Sequence, residues 1–160
     1  MATGFNPINI GIDNKDRKAI ADGLCKLLAD TYVLQVKAHG FHVNVESILF
    51  GQLHALFKQS YEDLNDATDV IGERIRQLGY RAPGSLKEFM ILTEIRDSAG
   101  VVPSTRMVAE LAQDYSTITK FCHELVGLAN KCSDLTTIDL LTQRMKAQEF
   151  TGWQLRASMA

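Results

Sequence analysis

Apolar residues recur at steps of three and four along nearly the whole of this chain, the spacing of one face of an α-helix. Asp13 suits an N-cap, and after it Ile20, Leu24, Leu27, Leu28, Thr31 and Leu34 mark a first long helix. A second stripe runs through Leu49, Leu53, Leu56, Ser60, Leu64, Ala67, Ile71, Ile75 and Leu78 and stops at Gly79, a residue suited to a left-handed terminator. RAPGS then breaks the chain, and Ser85 with Glu88 forms a capping box for a short helix, LKEFMIL. Beyond the connection IRDSAGVVPS, the positions Met107, Leu111, Tyr115, Ile118, Cys122, Leu125 and Ala129 predict a third long helix. The stretch from Asn130 to Asp134 ends it, and Thr136 with Asp139 is read as the cap of a fourth, running through Leu140, Leu141 and Met145 to Trp153. No segment alternates with the period of two that a half-buried strand requires. The expected fold is therefore all-α: four long helices in one bundle, with a short extra helix between the second and third.

One domain over residues 1–160 is expected, because a chain of that length buries a sizeable core unaided. Residues 1–12 are read as a flexible N-terminal tail. With no apolar run approaching 18 residues and no basic, then apolar, leader, neither membrane insertion nor secretion is expected. Three cysteines without a CxxC pair read as reduced thiols, which points to the cytoplasm. Seventeen basic against nineteen acidic residues argue against a built-in phosphate-binding surface.

Polar groups stand out against this background. KAHGFHVN carries two of the four histidines, His39 and His42, where the first long helix ends. On the second helix, Lys58, Asp69 and Glu73 lie about 40°, 60° and 100° around from His54, so all four share one side. The bland reading is a solvated face, with Lys58 and Glu62 as an i,i+4 pair and Asp69 or Glu73 paired with Arg74 or Arg76. The functional reading must meet a constraint of length. His54 and Asp69 are about 22 Å apart along a helix and cannot hold one metal ion within one chain. Two copies of the helix packed antiparallel about a two-fold axis would bring His54 of one opposite Asp69 and Glu73 of the other, twice over. His42 can join His54 from the adjoining helix end. Two imidazoles and two carboxylates suit iron, manganese or zinc.

The stretches AHGFHVNVESILFGQLHALF and DVIGERIRQLGYRAPGS resemble the signature of the Dps family, ferritin-like bacterial proteins that protect DNA during starvation. The resemblance covers residues 24–97 and extends more loosely to DLTTIDLLTQRMKAQEFTGWQLRAS. It implies a ferritin-like four-helix bundle assembled from two-fold dimers into a twelve-subunit cage. Such a cage oxidises ferrous iron, typically with hydrogen peroxide, at sites shared across the dimers and stores the ferric product. The implied iron ligands are His42 and His54 from one chain and Asp69 and Glu73 from its mate, with His39 a neighbour of the site. Asp114 falls near a family pore carboxylate.

The chain departs from the family pattern at Lys58, which stands where an acidic ligand is usual. Val43 replaces a tryptophan, Glu46–Ser47 replaces a glycine, and Gln148-Glu149 replaces His-Glu. The leading expectation is a ferroxidase and iron store. The alternative is a protective shell with an impaired oxidation site. DNA binding is expected to be weak, because residues 1–12 and 157–160 hold no Lys or Arg and twelve subunits at −2 carry −24 formal charges.

Overall fold

The computed structural model describes residues 8–98 and 101–159. Five helices follow one another: α1 (Asn14–Asn44), α2 (Phe50–Gln77), α3 (Leu86–Leu92), α4 (Ser104–Lys131) and α5 (Leu135–Ala157), and the described residues include no strand. Asp13 caps α1 by accepting from the Asp16 N–H at 2.9 Å, and Ser85 caps α3 by accepting from the Glu88 N–H. At the end of α2, Gly79 takes φ +95°, and the N–H groups of Gly79 and Tyr80 donate to the carbonyls of Arg76 and Ile75, a Schellman closure. Of the expected tail, residues 1–7 lie outside the described residues. Residues 8–12 are non-helical, and the Ile8 side chain lies beside Gly79.

Contacts between helices far apart in the sequence give the topology. Lys37 meets Asp114 and Gly23 meets Leu125, so α1 and α4 are antiparallel; Asp63 meets Arg144 and Arg74 meets Asp134, so α2 and α5 are antiparallel as well. Short turns make α1–α2 and α4–α5 antiparallel pairs. Helices α2 and α4 therefore run in the same direction on one diagonal, and the long connection holding α3 carries the chain between them. Gly23 permits the close approach of α4, since a Cβ there would stand 2.5 Å from Leu125 Cδ1.

The expected stripes of α1 and α4 are buried throughout, each large aliphatic side chain contributing ~1.5–3 kcal/mol. Helix α5 differs from its expected reading in two ways. Its cap is Asp134, which accepts from the Thr137 N–H at 3.0 Å, and Thr136 lies inside the helix. Its buried face is Thr137, Leu141, Arg144, Gln148, Thr151 and Leu155, whereas Leu140 and Met145 are half-buried and Trp153 is exposed. The polar members of that face are partnered across the bundle: Arg144 forms a two-pronged pair with Asp63 through its terminal nitrogens while its buried Nε has no partner, Gln148 accepts from Thr119, and Thr137 accepts from Arg74.

Candidate metal centre

His42 lies in the last turn of α1 and His54 near the start of α2, joined by a five-residue turn. Their rings stack with centroids 3.8 Å apart and 25° between planes. Each ring is hydrogen-bonded to the other residue's backbone: His42 Nδ1 to the His54 carbonyl and His54 Nδ1 to the His42 carbonyl, both at 2.8 Å. A carbonyl only accepts, so both Nδ1 atoms carry the proton. In the neutral imidazoles the lone pair is then on Nε2. The His42 carbonyl is one of the last four of α1, which have no intrahelical donor, so the lock also satisfies an orphan acceptor. A pair of half-buried imidazoles with fixed tautomer and orientation is the arrangement metal-binding histidines need.

Other aromatic rings surround the pair. Phe50 stacks on His54 at 4.9 Å, Tyr61 meets His42 edge-on at 5.3 Å, and His39 lies 4.6 Å from Tyr61 and 6.3 Å from His42. Sequence reading passed over Tyr61 and Phe50. The signal was present, since Tyr61 follows His54 by seven residues and Phe50 precedes it by four, which puts both on its face of α2.

The expected carboxylates are elsewhere in the same chain. Asp69 and Glu73 are exposed on α2, about 22 Å and 28 Å from His54 along the axis at 1.5 Å per residue. Among the described residues, no three His, Cys, Asp or Glu side chains of one chain converge on a common point. Arg74 and Arg76, read as possible partners of Asp69 and Glu73, are turned away. Arg74 donates to Asp134 and Thr137, and Arg76 donates to the Tyr80 carbonyl. Lys58 and Glu62 form the expected i,i+4 pair, loose at 3.7 Å, with about half of each side chain exposed. Asp114 is locked 2.6 Å from the buried Lys37 ammonium, in an ion pair between α1 and α4. Burial pushes the Asp114 carboxyl above its ordinary range despite that cation.

The sequence model of the ferritin-like domain matches residues 21–160. The DNA protection during starvation protein of Helicobacter pylori is 31% identical over 135 residues, covering 84% of this chain and 94% of that one. The chain belongs to the Dps family. A low-temperature-induced protein of Nostoc is 37% identical over 152 residues, covering 94% of this chain and 85% of the relative. Among solved structures, the Dps protein of Vibrio cholerae superposes with a TM-score of 0.92 at 25% identity, covering 99% of this chain and 100% of its own. That Vibrio protein is a member of a broad superfamily of ferritin-like diiron-carboxylate proteins. The Streptomyces coelicolor DpsC shares the fold with a TM-score of 0.93 at 23% identity. As a Dps chain, this protein has a ferritin-like bundle, and its all-α class is the one its periodicity predicts. No helix among its described residues is long and apolar enough to cross a membrane.

Proposed function

We propose that this Dps chain binds and stores iron, oxidising ferrous ions with hydrogen peroxide at sites shared between two-fold-related subunits. His42 and His54 of one chain are assigned as the nitrogen ligands, and the partner's Asp69 and the partner's Glu73 as the oxygen ligands. The reciprocal His42–His54 lock supports this reading most strongly, because it holds two Nε2 lone pairs ready and fixes them before any ion arrives. The donor set of two imidazoles and two carboxylates suits ferrous iron, and the carboxylates balance its charge. Removing ferrous iron and peroxide together denies the cell the pair that generates hydroxyl radicals, which would protect DNA without touching it.

Since the ligands of each site come from two chains, the site requires the dimer. The working assembly is a cytoplasmic homododecamer of such dimers, with weak binding to DNA. A second reading, a protective shell with an impaired oxidation site, is favoured by Lys58, a cation on the same face one turn beyond His54.

The deciding experiment is anaerobic ferrous titration followed by stopped-flow mixing with peroxide, on the parent and on His54→Ala. The parent is expected to bind and oxidise iron well above the protein-free rate, and His54→Ala to lose both. Equal behaviour of the two would remove the assignment. Oxidation by the parent at no more than the protein-free rate would leave the shell reading.

A further inference from the structure

We propose that His123 and Glu149 form a second metal site, bridging α4 and α5, that takes a borderline divalent cation such as zinc or copper. The site shares no residue with the histidine pair and does not depend on the iron-site assignment.

His123 lies on α4 and Glu149 on α5, the antiparallel helix packed against it. His123 Nε2 and Glu149 Oε1 stand 3.9 Å apart. That is too long for a hydrogen bond. It suits two donors on one metal ion, whose bonds of ~2.0–2.2 Å set them ~3.4 Å apart at a tetrahedral angle and never more than ~4.3 Å. A small side-chain rotation closes the difference, and the two side chains, 64% and 62% exposed, have room for it.

The helices beneath need not move. The residue before each donor is buried, and those two residues meet: Cys122 Sγ donates to Gln148 Oε1 at 3.7 Å, and the Thr119 hydroxyl donates to the same oxygen at 3.2 Å. The core therefore fixes the spacing of the two donor backbones, and only side-chain rotation is left to order. Space lies open alongside, since a Cβ at Gly127, one turn on from His123, would meet nothing within 4 Å.

Nothing else claims the pair. Among the described residues, Glu149 has no Lys or Arg as an ionic partner. Lys120 and Lys146, each three residues before a donor, are exposed, so solvent screens their charge. Among the described residues no third His, Cys, Asp or Glu joins the two, so water fills the remaining coordination positions. One imidazole and one carboxylate make a nitrogen–oxygen set whose affinity rises along the first-row series from iron to copper and stays high at zinc. An ion held there ties α4 to α5 at the surface and is kept from the histidine pair.

The test titrates zinc sulfate by calorimetry into the assembled, metal-free, full-length protein and into His54→Ala, which removes an imidazole of the assigned iron site. His54→Ala should still bind one zinc ion per chain. Adding His123→Ala or Glu149→Gln to it should weaken that ion by at least about tenfold, the loss that even an outer partner of a metal ligand causes. Both residues are exposed, so the zinc-free thermal midpoint should not move. Cupric ion offers a second readout, because Trp153, the single tryptophan, lies one turn beyond Glu149 on α5. Saturable quenching of its fluorescence should persist in His54→Ala and disappear when His123→Ala is added. Zinc held equally by His54→Ala and both of its derivatives, or no zinc held by His54→Ala, overturns the site and leaves the iron assignment untouched.

Discussion

Replacing Lys58 with glutamate is expected to tighten a second ferrous ion at the proposed site by about two orders of magnitude. One helical turn separates Lys58 from His54, which sets the ammonium ~6 Å from a second ion. Repulsion between charges of +1 and +2 at ~6 Å is ~5 kcal/mol at an effective dielectric of ~20 and ~1.4 kcal/mol in water. The structure selects the lower figure, because 53% of the Lys58 side chain is exposed. Its partner Glu62, 56% exposed at 3.7 Å, is too well solvated to neutralise it, such pairs contributing ~0–1 kcal/mol. Removing the cation as Lys58→Met should therefore improve second-ion binding about tenfold. Inverting the charge as Lys58→Glu doubles the effect to ~3 kcal/mol, about 100-fold, before any direct coordination. Anaerobic titration calorimetry on the three proteins reads both the number of ions and their affinities. A graded series is expected, shrinking as added salt screens the charge. Second-ion affinity that is unchanged in Lys58→Glu refutes the reasoning.

Two further predictions concern the scaffold. Arg74→Met leaves the Asp134 carboxylate buried without its cation, although Thr137 still donates to it, and is expected to destabilise the fold by ~3 kcal/mol in denaturant titrations. In the parent, burial pulls the Asp134 carboxyl up, but the Thr137 hydroxyl and N–H and the Arg74 guanidinium bring it below its usual value. Its contribution is therefore complete above the unfolded carboxylate pKa and is lost as pH falls through the folded one, a loss that should begin at higher pH in the variant. Glu88 is held at about 2, chiefly by the Arg81 guanidinium and then by the Gly84 N–H and the Ser85 hydroxyl. Carbon-detected NMR titration should place its midpoint there, and Arg81→Gln should move it toward the ordinary carboxylate range. The stabilisation it lends to the start of α3 is complete above the unfolded value, ~4.3, and disappears as pH falls toward about 2.

Features set by neighbours along the chain were the most legible in the sequence. The span of α3, the end of α2 at Gly79 and the buried stripes of α1 and α4 depend on spacing and on cap chemistry a few residues away. The inward face of α5 was misread because its polar members are stabilised from far along the chain, Arg144 by Asp63 and Thr137 by Arg74. Periodicity counts such residues as exterior. The Lys37–Asp114 pair was not legible for the same reason, since the two residues lie 77 positions apart. At the candidate site, the short turn between α1 and α2 made the meeting of His42 and His54 foreseeable. Their reciprocal hydrogen bonds were not, because they depend on which carbonyls the helix end leaves free.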